Sequence, residues 1–215
     1  MLLTKAEPGN FCEKDKDRPV YILGTAPDLL ELPLTFWQEY DIIGLNHSFQ
    51  APYARDNLDH WICCDAVMPF VDWIKNDRKV NKWVYKVYRC DPRLGPRIYN
   101  SVLYGVVDFP PLQRDYRNGL YAQSFTLTAA LSLAYALGYK DVRMRGIRFG
   151  AGGENKVHFN DNREWFGSEV HRNAMESLYG HQRKIIREVI VPEYKRLGLT
   201  LVNETPGAVP LEQGE

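Results

Sequence analysis

Residues 21–28 read YILGTAPD, an apolar run that stops at Gly24 with Pro27 and Asp28 just beyond. With Val20 in front, the run is short and almost continuously apolar, which fits a parallel strand covered on both faces. The turn that follows, GTAPD, is either the loop where a strand hands a nucleotide to a helix or a plain strand-to-helix turn. It carries one glycine where a dinucleotide fingerprint has three, and it lacks the lysine of a phosphate-binding loop. Gly24 permits a backbone path that a side chain would block, and amides near the next helix start can face an anion.

Outward from this turn, strands and helices alternate. APDLLELPLTFWQEY (26–40) has apolar residues spaced for one helical face, with Pro33 breaking or delaying the helix. DIIGLN (41–46) and LDHWICCD (58–65) read as the second and third strands, ending in Asn46 and Asp65, residues that also serve as ordinary turn formers. AVMPFVDWIKN (66–76) reads as a short helix and KWVYKVYR (82–89) as a strand. From 90 to 120 the chain is irregular, with a strand inside SVLYGVVDF. SFTLTAALSLAYALGYK (124–140) is the clearest helix, with a Ser/Thr-rich start and Gly138 as C-cap. DVRMRGI (141–147) is the next strand, FGAGGENKVHFNDN a glycine-rich loop, and a long helix spans about 168–196 with Tyr179-Gly180 and Pro192 as bend points. LTLVN (199–203) closes as the last strand.

This alternation predicts an α/β fold: a single-domain, Rossmann-like, mostly parallel sheet with helices on both faces. Residues 1–18 read as a flexible lead-in, 19–210 as one nucleotide-binding domain and 211–215 as a tail. In such sheets ligands bind beyond the carboxyl ends of the strands, which puts Gly24, Thr25, Asn46, Asp65 and the 148–160 loop on one rim.

Lysine plus arginine equals aspartate plus glutamate, 27 against 27, so no global field draws the chain to nucleic acid or an anionic membrane. No apolar stretch reaches bilayer-spanning length, and the first residues are too polar for a signal peptide, so a cytoplasmic location is expected. Cys12, Cys63, Cys64 and Cys90 show no CxxC spacing; the adjacent Cys63 and Cys64 point to opposite faces of a strand and read as buried thiols. The five histidines form no HExxH or HxH, so no metal site is expected.

Three stretches carry chemistry beyond the first turn's Gly24, Thr25 and Ala26. Ser124, Thr126 and Thr128 lie at or before a helix start, where hydroxyls and amides can grip a ribose or phosphate; helix capping alone accounts for one of them. His181 sits among Gln182, Arg183 and Lys184, cations that would lower its pKa and keep the imidazole neutral, as a base requires, although a surface histidine on a charged helix fits the same residues. His171 is the rival candidate. Arg148, with Arg143 and Arg145, makes a basic edge that can hold an anionic substrate or lie solvated.

Together these stretches resemble the bacterial sialyltransferases of glycosyltransferase family 42 and their wider superfamily. The family's G-x-G-P-S-L turn is matched by Gly24-Thr25-Ala26-Pro27-Asp28-Leu29, and its strand ending in asparagine by IIGLN and Asn46. A helix ending A-L-G-Y-K before a strand ending G-I-D is matched by ALGYKDVRMRGIR, and the late G-H by Gly180-His181. The resemblance covers most of residues 19–210, and little of 66–120. It implies a metal-independent transferase without a cofactor, whose donor is a nucleotide-sugar such as a CMP-activated one. Carried over residue by residue, Gly24, Thr25 and Asn46 would touch the nucleotide with Ser124 and Thr126 beside it, while Ala26 and Asp65 are counted as nucleotide-binding candidates from their place in the turn and on the rim. His181 would be the general base, Phe159 a lid aromatic and Tyr179 a substrate or phosphate contact; Arg148, from the basic edge and not from the family's pattern, is a further substrate or phosphate candidate.

Three departures bear on the donor. Ala26 replaces the second glycine, Asp28 replaces the serine and adds negative charge, and Arg148 replaces the aspartate of G-I-D. An acceptor on a glycan, a small molecule or a nucleic acid fits equally, and a homo-oligomer is compatible. The archaeal-type 6-hydroxymethylpterin diphosphokinases, which use ATP and magnesium, share the loop pattern and supply the alternative; a relative that only binds a nucleotide is the third reading.

Overall fold

Val20, Tyr21, Ile22 and Leu23 are almost wholly buried, and their strand β1 (Val20–Leu23) lies inside a parallel sheet. The computed structural model describes residues 17–64, 70–77, 79–85, 101–104, 106–107, 110–112, 114, 119–122, 125–149, 169–208 and 211. The strands that follow are β2 (Asp41–Leu45), β3 (His60–Cys63), β4 (Asn81–Tyr85) and β5 (Ser101–Tyr104). A two-residue pair, β6 (Val106–Val107) and β7 (Leu120–Tyr121), forms a small separate sheet. β8 (Asp141–Arg145) and β9 (Thr200–Asn203) complete a seven-stranded sheet of order β5-β4-β3-β2-β1-β8-β9. Every pairing in it is parallel, with Ile22 level with Ile43 on one side and Met144 on the other. The expected Rossmann-like α/β fold is therefore what the chain adopts.

The chain steps outward from β1 to β5, then returns to the far side of β1 for β8 and β9. The reversal between β1 and β8 is the topological switch point, where sheets of this kind place ligands. On one face, Tyr21, Leu23, Ile42 and Trp61 meet residues from the connections α1 (Leu34–Glu39), α2 (Ala54–Asn57) and α3 (Val71–Asn76), among them Trp37, Ala54 and Trp73. On the other, Val20, Ile22, Ile43 and Met144 pack against α4 (Thr126–Ala136) and the C-terminal helices. A fully buried isoleucine such as Ile22 contributes about 1.5–3 kcal/mol. Cys63 and Cys64 are both buried, one in each of these cores, as neighbours on a strand must be.

Local signals placed most boundaries. Pro33 separates a 3-10 turn (Pro27–Glu31) from α1, as a residue without an N–H should. α4 is buried along Thr126–Ala134, so it reads as apolar all round rather than amphipathic. It ends in a left-handed Gly138 (φ 97°), with Tyr139 N–H bonded to Ala134 O and Gly138 N–H to Tyr135 O. α5 (Glu169–Ile185) runs unbroken through Tyr179-Gly180, so that pair does not split it. The interruption comes later, as a π turn at Ile186–Ile190 just before Pro192 in α6 (Val191–Arg196). Val191 N–H reaches back to Ile186 O, the wide bond that replaces a ladder which proline cannot continue. SVLYGVVDF supplies two strands, β5 and β6, in different sheets rather than one.

Candidate functional site

The turn after β1 is stitched to β8. Gly24 N–H donates to Arg145 O at 2.8 Å, and the N–H groups of Thr25 and Ala26 both donate to Gly146 O at 3.0 Å. The amides of Gly24, Thr25 and Ala26 are thus taken up by carbonyls at the end of β8 and just past it. Gly24 is required for the same reason: a Cβ there would stand 2.2 Å from Gly146 O and 2.7 Å from Ile147 Cγ1. Gly146 in turn has φ +69° and would bring a Cβ within 2.8 Å of Leu29 Cγ. Ala26 is buried, so its methyl group lies inside the protein rather than against a ligand.

The ends of β2 and β3 meet the start of α4. Asn46 has φ 45°, a left-handed conformation that asparagine tolerates, and its carbonyl accepts from Trp61 Nε1 at 2.6 Å. Thr126 Oγ1 donates to Asn46 Oδ1 at 3.3 Å and accepts from Cys64 N–H at 3.2 Å. Thr128 Oγ1 donates to Phe125 O at 2.9 Å and to Ala122 O. Neither threonine caps the helix: the N-cap is Phe125, without a side-chain bond. The positive end of the α4 dipole therefore points at the carboxyl edge.

α5 forms a wall beside this start. The His181 ring lies against Phe125, with centroids 5.9 Å apart, and His181 is exposed. The adjacent cations turn to other partners: Arg183 donates to Phe149 O and pairs with Glu176 at 3.0 Å, and Lys184 stands 4.0 Å from Glu188. Tyr179 is half-buried, and two positions apart on a helix it lies roughly 200° around the axis from His181. The two side chains therefore leave α5 in different directions. Gly180 has only ordinary contacts in reach, so packing does not demand a glycine there.

The basic edge proves to be internally paired. Arg143 bonds to Asp141 at 3.0 Å and to Glu204 Oε1 at 3.0 Å, while Tyr21 Oη donates to Glu204 Oε2 at 3.0 Å. The Asp141 hydrogen bond raises the Arg143 pKa further, and burial, with Glu204 alongside, pushes the Tyr21 phenol up. Arg145 donates to the Glu204 carbonyl. Arg148 stands apart from this network, 3.9 Å from Asp28. Burial raises the Asp28 carboxyl above its ordinary range, against the opposing pull of its backbone N–H and of Arg148 and Arg145.

A chain of contacts runs around the rim. It passes from Asp28 to Arg148, from Phe149 to Arg183 on α5, from His181 to Phe125, and from Thr126 to Asn46. Thr25, almost buried, lies at the end of β1 below it. His47, which sequence reading passed over, follows Asn46 directly and sets its ring 4.7 Å from Phe70. Asp65, Ser124 and Phe159 lie outside the described residues. Among the described residues no group of three or more His, Cys, Asp or Glu is placed to hold a metal ion, and no helix is long and apolar enough to cross a membrane. No protein-family model matches the chain, and no curated protein shows significant similarity to it.

Proposed function

We propose that the chain is a glycosyltransferase that needs no metal, transferring a sugar from a nucleotide-sugar donor by a single inverting displacement. The observation that carries this reading is the seating of His181 against Phe125 at the head of α4, next to the Thr126–Asn46 bond. An imidazole, a helix amino end and an amide-hydroxyl pair then share one rim. The acceptor oxygen attacks the anomeric carbon, its proton passes to His181, and the bond to the nucleotide phosphate breaks with its electron pair on the phosphate oxygen. The α4 amino end opposes the charge that develops there. Asn46, Thr126 and Thr25 hold the nucleotide.

A melting-temperature panel of CMP, UDP, GDP, ADP and ATP, with and without magnesium, identifies the nucleotide. Its sugar conjugates then serve as donors, read by release of free nucleotide. His181→Ala is expected to slow release about a hundredfold or more while the nucleotide-induced melting shift stays the same. Equal loss of both removes His181 from the role of base. Binding that disappears in EDTA replaces the transferase with a magnesium-dependent phosphotransferase.

A further inference from the structure

β9 is an outermost strand of the seven-stranded sheet, and among the described residues only β8 pairs with it. Thr200 N–H donates to Lys140 O at 2.8 Å and Glu204 N–H to Met144 O at 2.9 Å. Alternate residues of a strand bond to the same neighbour, so Val202 also faces β8, and the N–H and C=O groups of Leu201 and Asn203 point outward. The next outward positions are closed. Leu199 N–H donates to Tyr194 O at 2.9 Å, and Thr205 N–H to Asn203 Oδ1 at 3.2 Å. The open edge is therefore Leu201 and Asn203.

Sheet edges that must stay single are blunted by lysine, proline, a bulge or a covering element. β9, TLVN, holds no charge and no proline. Val202 is level with Arg143, which is level with Tyr21, so all three share one face. The apolar cluster on that face includes no residue of β8 or β9, and Val202 is 41% exposed.

This edge complements itself in one register. For two copies related by a two-fold axis perpendicular to the sheet, an axis falling between residues would oppose side chains from different faces. An axis at Leu201 pairs Asn203 with the partner's Leu199, and one at Asn203 pairs Leu201 with the partner's Thr205. Each asks for an N–H already in use. An axis at Val202 pairs Leu201 with the partner's Asn203, and Asn203 with the partner's Leu201, so four N–H···O=C bonds form and none is lost. Val202 then meets its own image as a non-hydrogen-bonded pair with Cα atoms about 4.5 Å apart. Thr200 faces the partner's Glu204, a hydroxyl against a carboxylate, and from Gly198 to Pro206 no charge opposes another. We propose that a second copy of the chain docks here, β9 pairing antiparallel with β9 about an axis at Val202 to give one continuous sheet. The interface is closed, so assembly stops at the dimer, and its small size makes it concentration-dependent rather than obligate.

Sedimentation equilibrium of the full chain, with oxidative cross-linking of cysteine variants, tests it. The unaltered chain should pass from monomer to dimer as concentration rises and go no further. Val202→Lys sets two ammonium groups against each other and should weaken association about fivefold or more, with the melting temperature of the monomer kept. The Cα spacing at the axis suits a disulfide, so Val202→Cys should give a covalent dimer above the background of the unaltered chain. Thr200→Cys, exposed on the same face but roughly 13 Å from its image, should not. A chain that stays monomeric at every concentration, a dimer as tight after Val202→Lys, or equal cross-linking from both cysteines overturns the proposal. Oligomers that grow past two also overturn it, since they mark head-to-tail pairing of β9 with another copy's β5.

Discussion

At the amino edge of the sheet, Tyr139 Oη donates to Asp41 Oδ2 at 2.8 Å, and Asp59 Oδ2 accepts from Ile42 N–H at 2.9 Å. Lys82, 0% exposed, donates to Asp77 O at 2.6 Å and Val80 O at 3.3 Å. At the carboxyl edge, Asp28 and Arg148 remain 3.9 Å apart with hydrogen-bonding atoms unmet. The same kinds of side chain are thus closed into hydrogen bonds at one end, while this pair stays apart at the other. Buried polar groups at the amino edge serve stability, whereas the Asp28–Arg148 pair at the carboxyl edge is held apart at some cost to it.

Substitutions that separate stability from binding probe this contrast. The largest loss of stability is expected at the amino edge. Lys82→Ala removes a buried cation, leaves two carbonyls without their donor and opens a cavity, for about 3 kcal/mol in urea unfolding. Tyr139→Phe takes one donor from Asp41 and should cost about 1–2 kcal/mol by the same measurement.

Asp28→Asn should have the opposite sign. Because burial raises the folded-state pKa of Asp28, the folded chain holds its proton more tightly than the unfolded one. Stability therefore falls as pH rises from the unfolded value, about 4, through the raised folded value, and stays reduced above it. The asparagine variant should melt higher than the unaltered chain at pH 7, with the advantage shrinking toward pH 4. Smallest of all, His181→Ala on an exposed helix position should change stability by less than about 0.5 kcal/mol, while the proposed transfer should slow about a hundredfold or more. If the carboxyl-edge changes destabilise as much as Lys82→Ala, the contrast between the two edges is wrong.

Much of this fold could be read along the chain, because short apolar runs such as VYIL and DIIGL and the Gly138 cap are local signals. The role of Gly24 could not. It depends on Gly146, more than a hundred positions away, and only the β1–β8 pairing brings the two together. The pairing of Arg143 within the basic edge was hidden for a related reason. Asp141 and Arg143 share a strand face, so that pairing was open to inspection, but Glu204 arrives only through β9. Thr126 stands out in the sequence as a hydroxyl at a helix start, while its bond to Asn46 links segments that composition cannot connect. Asp28 drew attention as added charge near a phosphate. Its burial, which changes the chemistry it can offer, is a property of packing alone.

The π turn before Pro192 has a consequence for how this wall is oriented. One additional residue in a helical turn rotates everything beyond it by roughly 100° about the axis. Upstream of that offset the helix shows His181 to solvent, and downstream it buries Tyr194, whose hydroxyl donates to Leu131 O at 3.0 Å. Deleting a single residue among Ile186–Ile190 would restore regular winding and put these two halves out of phase. The imidazole would then keep its place only if Tyr194 swung off Leu131. A wet flank and a dry flank on one continuous rod are set, in this sense, by a single miscounted turn.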